Sequence, residues 1–489
     1  MTACLARPSD GQEKQTEEKT VEEKRKTYVA DVERGIYDIK DGENFEFKTD
    51  SGLTEEIVRE ISEEKKEPAW MLETRLKALQ IYNSKPFPTW GPDISGLDMD
   101  NIITYVRPRA AMQHSWEEVP ADIKNTFERL GIPQAERESL AGVGAQYDSE
   151  VVYHNLQKEL ADQGVVYLDI ETAVREYEDV VKAHFMKLVP PSDHKFAALH
   201  GAVWSGGSFV YVPAGVQVEI PLQSYFRLNA KGAGQFEHTL IIVEKGAKLH
   251  FIEGCSAPKY DVANLHAGCV ELYVRENATL RYSTIENWSK NMYNLNTKRA
   301  VVEKNARMEW VSGSFGSRVS MLYPMTILKG EYAQTEFTGI TFAGEGQHLD
   351  TGCKVIHSAS HTTSNVNTKS ISKDGGYAFY RGLIKTAPQA EYCKSTVSCE
   401  SLMMDNRSKS DTLPIIALAN DKIDMGHEAK IGRISDDAIF YLMSRGIDEI
   451  EAKTMIVSGF VEPITKELPL EYAVELNNLI SLEFVGSIG

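Results

Sequence analysis

A chain of 489 residues with a formal charge of −18 has room for two to four domains and a large core. That charge repels polyanions, and with no dense Lys/Arg run to compensate it excludes nucleic acid and acidic lipid as natural partners. The longest apolar runs, such as TLIIV, are strand-sized and far short of the roughly 20 residues that cross a bilayer, so a soluble, cytoplasmic protein is expected.

The opening residues, MTACLARPSDGQEKQTEEKTVEEKRK, lack a signal-peptide apolar region and are too acidic for a transit peptide. Residues 1–45 read as a disordered, charged tail. Over 46–190 the pattern predicts an N-terminal helical (α/β) domain. Leu53, Ile57, Val58 and Ile61 share one helical face, and Pro68 opens a second helix with Trp70, Leu72, Leu76 and Leu79.

From about residue 191 short β-rich runs alternate with turn residues: PAGVQVEI at Gly215, EKGAKLHFI at Gly246, RENATLRYS at Asn277 and EKNARMEWV at Asn305. Their spacings are 31, 31 and 28. Weaker echoes follow at KGEYAQTEF and KDGGYAFYRG. Turn chemistry recurring at near-constant spacing means stacked units that cannot bury their apolar faces alone. The class is therefore mainly β, with a parallel β-helix over 191–433, where a β-sandwich would have no reason to repeat its turns. After Arg433 a C-terminal helical domain is predicted over 434–489. Ser435 and Asp448 serve as caps, Gly446 as a stop, and Pro469 opens a last helix. Such blocks, or a partner, must cover the end coils of a solenoid.

Six cysteines are present, Cys4, Cys255, Cys269, Cys353, Cys393 and Cys399. None has the CxxC spacing of a zinc ribbon or thioredoxin site, and a disulfide framework is not expected in a large chain without a secretion signal. Cys399 lies in KSTVSCESLMM, upstream of DMGHEAKIG. His427-Glu428 resembles the start of a zinc-protease helix, but the second His is missing because position 431 is Ile. Thiolate, imidazole and carboxylate are instead the ligand set of iron or zinc, and a solenoid can bring residues one coil apart side by side. The ordinary alternative is a core thiol. Cys255, in FIEGCSAP, occupies a strand end before a Pro, a position within a partner's reach or a thiol closing a coil corner. Arg227 with Asn229, and Glu286 with Trp288, share strand faces that are either surface or a polar interior. His348, His357 and His361 flank Cys353 without the spacing of a zinc module. No phosphate-binding GxxxxGK[ST] occurs, so ATP dependence would come from a partner.

Taken together, LAGVGAQYDSEVVYHNL, AVWSGGSFVYVP, EGCSAP, TKSISKDGG, HEAK, FYLMSRGI and EPITKELPLEYAVELNNLISLE resemble the SufB/SufD family of the SUF iron–sulfur cluster assembly system, from about residue 53 to the C-terminus. The resemblance implies a right-handed parallel β-helix and a scaffold, not an enzyme. It makes Cys399 the cluster-assembly cysteine, with Glu428 and His427 as nearby cluster or iron ligands. It makes Cys255 the acceptor of persulfide sulfur from a cysteine desulfurase (SufS) and its SufE/SufU-type sulfurtransferase. Arg227, Asn229, Glu286, Trp288 and Lys304 become the lining of a sulfur path between the two cysteines. The cofactors it implies are iron, a nascent [2Fe-2S] or [4Fe-4S] cluster and, in some such complexes, a reduced flavin. The partners are the SufC ATPase, docking on the C-terminal helices, a SufD chain or a second copy, and apo-protein acceptors. Two departures stand out: Glu286 where the family often has Gln, and Gly426 where it often has an acidic residue. Two other classes use the same features: a solenoid interaction scaffold without chemistry, in which both cysteines are dispensable, and a polysaccharide-active β-helix enzyme, which needs a groove of carboxylates.

Overall fold

The computed structural model describes residues 38–42, 44–129 and 140–466. The expected tail with Cys4, and the helix opening at Pro469, lie outside the described residues. The molecule is mainly β, a solenoid of about eight turns. One wall is a ten-stranded sheet, parallel except for the antiparallel pair Gly142–Tyr147 and Glu150–Leu156 at one end. The other wall is a fourteen-stranded sheet, into which each coil contributes short segments.

The repeating turns build one corner of the coil. Gly215, Gly246, Asn277 and Asn305 all have positive φ (+77°, +69°, +59°, +55°), a backbone region open to Gly at no cost and to Asn at little. Backbone N–H groups of Gly246 and Asn277 reach to Glu276 and Lys304 carbonyls one coil on, each at 2.9 Å, and the Asn305 side chain donates to Asn277 Oδ1 at 3.1 Å. The column continues at Tyr332, His361 and Tyr392, also at positive φ. Their rings stack at 4.9 and 5.2 Å. The echo at KGEYAQTEF thus belongs to this corner. KDGGYAFYRG belongs to another, at the far end of the ten-stranded sheet, where Asp374 and Gly375 follow the strand Thr363–Ser372.

Inward-facing Leu249, Phe251, Leu280, Tyr282, Met308 and Trp310 from one wall meet Val270, Leu272, Val274, Ala300 and Val302 from the other. Outward-facing Ile252, Ile285, Val311, Ile340 and Ile371 are covered by the helix Glu449–Thr465 through Ala452, Val457, Val461 and Ile464. Ser435 and Asp448 cap the two C-terminal helices as expected. The N-terminal helices Glu55–Glu64, Ala69–Ser84 and Lys195–Val203 lie against the outside of the solenoid. The second buries Met71, Arg75, Ala78 and Tyr82 beside Leu79, a face rotated from the predicted one. Arg75 is the cause: its guanidinium pairs with Glu67 at 2.6 Å and donates to the Trp204 carbonyl at 2.9 Å, so a charged side chain is inside and Trp70 only half-buried. The ladder does not start at residue 191, since Gly142–Tyr147 already pairs in register with Leu222–Arg227.

Candidate functional site

Strand alternation puts residues two apart on the same face, and parallel in-register stacking lines them up from coil to coil. One inward column of the ten-stranded sheet reads Ser224, Glu253, Thr284, Ser312, Gly339, Thr368, Cys399, Ala429. The next inward column reads Phe226, Cys255, Glu286, Ser314, Thr341, Ser370, Ser401, Ile431. The solenoid interior is therefore apolar along one side and polar along these two columns. Cys255 and Cys399 both face this polar lumen, five strands apart along the ladder, which at about 4.8 Å per strand is on the order of 24 Å.

Around Cys255 the lumen is a charged network. Lys298 Nζ lies 3.0 Å from Glu253 Oε1, 3.2 Å from Glu286 Oε1 and 3.2 Å from Thr284 Oγ1. Glu286 also accepts from Asn294 (2.6 Å) and Asn296 (2.9 Å). His266 bridges Asn294 and Glu237, and Tyr282 donates to Glu253. Burial alone would raise the Glu286 carboxyl, but Lys298, His266 and the two Asn side chains outweigh it and hold the group below its ordinary range. The unusual Glu at 286 is thus a neutralised charge, not a bare one. Burial pushes the Cys255 thiol well up, the carboxylates of Glu253, Glu237 and Glu286 add to the shift, and Lys298 opposes it.

Several expectations are corrected here. Cys255 is 1% exposed, packed with Phe226, Leu228 and Trp288, so its strand-end position does not leave it within a partner's reach. Arg227 sits one residue past the inward column and points to the opposite face, where its guanidinium donates to Ser256 Oγ (3.0 Å) and the Ile39 carbonyl (2.7 Å). Asn229 likewise lies outside the lumen, paired with Asp41 through its side chain and with Asp148 through its backbone N–H. Lys304 is an exposed turn residue preceding Asn305. The lysine in the lumen is Lys298, which sequence reasoning missed, although its alternation with Ala300 and Val302 in TKRAVV marks a lone charge in an inward column. Trp288 and Glu286 do face inward, with the Trp288 ring 4.6 Å from that of His266.

Around Cys399 the environment is different. Its Sγ lies 3.8 Å from His427 Nε2. On the opposing wall Tyr380 OH lies 3.8 Å from Cys353 Sγ, so a second thiol, treated as structural from sequence, borders the site. Burial raises the Cys399 thiol, and the hydroxyls of Thr368, Tyr380 and Thr412 partly offset it. His427 pairs in register with Val397 and shares the inward face. Glu428 pairs with Ser398, faces outward, and is ion-paired to Lys430 at 3.1 Å. The His-Glu pair therefore does not meet the cysteine together. Gly426, in register with Thr396, is on the outward face too, so an acidic residue there would leave the inward face unchanged. The three histidines near Cys353 do not converge: His348 stacks on Tyr377 (4.2 Å), His357 bonds Thr362 and Ser364, and His361 belongs to the corner stack.

Among the described residues this end of the solenoid is open: the strand Ile423–Arg433 ends the ten-stranded sheet and the strand Lys409–Ala417 pairs only with Tyr377–Thr386. Leu413, Ile415, Ile416, Leu418 and Ile431 are exposed, and beyond them Phe440, at 72%, Tyr441 and Met443. No helix among the described residues is long and apolar enough to cross a membrane.

Residues 226–460 match the family model for the SufBD core domain of SUF system FeS cluster assembly, and residues 56–224 match that of the SufBD protein N-terminal region. The chain is 52% identical over 461 residues to the iron-sulfur cluster assembly protein SufB of Bacillus subtilis (strain 168), covering 94% of this chain and 99% of that one. It is 52% identical over 443 residues to an iron-sulfur cluster assembly SufBD family protein of Staphylococcus haemolyticus, covering 91% and 95% respectively.

Proposed function

Because the chain belongs to the SufBD family of SUF-system iron–sulfur cluster assembly proteins, we propose that it is the scaffold on which a nascent cluster is built, with Cys399 and His427 as first ligands. The observation that carries this reading is the 3.8 Å approach of Cys399 Sγ to His427 Nε2 at the open end of a polar lumen that begins at Cys255. Thiolate and imidazole together suit iron. Glu428 joins the ligand set only if the edge strand turns over, a movement that a partner at this edge could drive.

Sulfur arrives at the other end. The Cys255 thiolate attacks the outer sulfur of a donor persulfide from a desulfurase or its sulfurtransferase. A new S–S bond forms, the donor's S–S bond breaks, and the donor leaves as a thiolate, with no net redox change. A raised thiol is a poor nucleophile, so this step requires the Cys255 end to open. Hydroxyls of Ser314, Thr341 and Ser370 supply hydrogen bonds along the way to Cys399.

The exposed apolar edge at Leu413 and Ile415 favours a partner of the same fold, a SufD chain or a second copy, since an unpaired edge is a template for another strand. ATP is handled by a SufC-type partner on the C-terminal helices, whose Phe440 and Tyr441 are unburied. Cys399→Ser tests the reading. Anaerobic reconstitution with iron and sulfide should give charge-transfer absorption in the parent and none in the variant, at unchanged thermal midpoint. Full iron and sulfide in the variant would sink it. In the complete complex, ATP should speed alkylation of Cys399, by shifting the population toward an open edge, and should not do so in the isolated chain.

A further inference from the structure

A second constellation of metal-binding side chains lies outside the lumen, between the helix Lys195–Val203 and the outer face of the fourteen-stranded sheet. His200, His238 and Cys269 present ligand atoms that all lie within 4.8 Å of one another. Cys269 and His238 are register partners on adjacent strands, and all three residues are at most 1% exposed.

With both imidazoles neutral, the hydrogen bonds of the cluster cannot all be satisfied. His200 Nδ1 donates to the Ala267 carbonyl at 3.0 Å, so in the neutral ring its Nε2 carries a lone pair. That lone pair faces His238 Nδ1 at 3.0 Å. The other nitrogen of His238 lies 3.3 Å from Glu271 Oε2, a carboxylate already held by the backbone N–H groups of Met186 (2.5 Å), Leu188 (2.6 Å) and Val189 (2.8 Å). A neutral imidazole has one proton. Given to His200, it leaves Nε2 unpartnered against a carboxylate oxygen. Given to Glu271, it leaves two ring lone pairs facing each other. Either arrangement puts acceptor against acceptor among fully buried groups, which is costly, whereas a cation between the two rings removes the conflict.

We propose that His200 Nε2, His238 Nδ1 and the Cys269 thiolate bind a zinc ion that pins the N-terminal helix to two successive coils of the solenoid. Two imidazoles and a thiolate supply three of the four donors of tetrahedral zinc, with a water molecule as the fourth. The remaining ring nitrogens already make the outer contacts typical of metal-bound histidine, one N–H to a backbone carbonyl and the other to a carboxylate. Zinc–nitrogen bonds of about 2.0 Å at tetrahedral angles set the two nitrogens roughly 3.3 Å apart, a few tenths of an ångström more than the gap observed. Binding expels the thiol proton, so the ion is taken up with release of one proton to solvent. All three ligand residues are at most 1% exposed, so loading accompanies folding.

The test uses the full chain in a Cys399→Ser background, which removes the thiol of the lumen's open end. Purified after expression with added Zn2+, this chain should carry a zinc that is absent once Cys269→Ser is added. Expression with Co2+ should give a thiolate-to-cobalt charge-transfer band that follows Cys269 and not Cys255. Should Cys269→Ser fail to fold, Glu271→Gln keeps the ligands and should weaken zinc retention against a competing chelator about 10- to 100-fold. Zinc content independent of both changes would overturn the proposal, as would iron in place of zinc on these ligands. So would a metal-free, folded parent, in which a proton shared by His238 and Glu271 fills the gap.

Discussion

At the Cys255 end the lumen is closed by protein. Phe226 and Trp288 cover the thiol, Arg227 and Asn229 hold the segment at Ile39 and Asp41, and every carboxylate of the network has a partner. At the Cys399 end the same coil geometry runs out into an unpaired edge, with a half-buried His427 and apolar residues in solvent. The first end is buried and costly to open. The second presents an edge strand and apolar side chains to solvent. In the proposed scaffold role, this asymmetry would separate sulfur arrival from cluster building in space and let a different partner control each.

The largest difference between the two ends is expected from one kind of substitution, Lys to Met, made at each. Lys298→Met keeps the shape of the side chain but strands Glu253 and Glu286 in the buried lumen. Removing one partner of a buried ion pair should cost about 3–5 kcal/mol, read as a fall in the urea midpoint at neutral pH. Lys430→Met removes the partner of exposed Glu428 and should leave the midpoint unchanged. Equal responses from the two variants would mean that the lumen network is solvated and the Cys255 end is not sealed.

A second, smaller effect sharpens the picture of the seal. Asp148 accepts from the backbone N–H groups of Asn229 and Ala230 at 2.6 and 2.7 Å, yet burial raises its pKa to about 7, with those hydrogen bonds and Arg227 opposing and Asp41 adding. Between the unfolded value and about 7 the folded chain holds a proton that the unfolded chain has lost. This contribution to stability is therefore full below the unfolded pKa and falls as pH rises, by at most roughly 1.4 kcal/mol per unit. His154, His194, His250 and His357, each lowered to about 4 mainly by burial, act with the opposite sign, losing stability as pH falls below the unfolded histidine value. Asp148→Asn should therefore gain stability relative to the parent as pH rises from 5 to 8. A stability difference constant over that range would show that Asp148 is not protonated in the fold.

Much of this was legible in the sequence, and for a physical reason. A solenoid repeats its corner chemistry, so Gly215, Gly246, Asn277 and Asn305 declare the coils, and the one-coil spacing of Cys399 and His427 brings the two side by side. Facing direction was harder. It depends on register, and a one-residue shift reverses it. Arg227 beside inward Phe226, and Glu428 beside inward His427, face away from the lumen for that reason. Lys304, implied by the resemblance, occupies the corner itself, where side chains leave the coil, and Lys298 goes unremarked in the sequence. His200, His238 and Cys269 had no chance of being read together, since a helix and two strands bring them into contact from well-separated positions in the chain.

The smallest expected effect on stability lies at the open end. Phe440 is 72% exposed on the helix Asp436–Met443, whereas Ile439 on the same helix is buried and packs with Ala452 and Val457. Removing an exposed side chain away from caps and buried networks leaves stability within about 0.5 kcal/mol, so Phe440→Ala should unfold with the parent. If the helix is a docking surface, the same change should still weaken binding of a SufC-type ATPase, because exposed aromatics that become buried are frequent anchors of interfaces. Ile439→Ala should do the reverse, lowering the unfolding midpoint first and binding only through it. Measured side by side by denaturation and by titration calorimetry, the pair separates a surface that serves a partner from one that serves the fold. A Phe440→Ala chain that binds the ATPase as the parent does would move the docking site away from this helix and leave the open edge strands as the only partner surface at this end among the described residues.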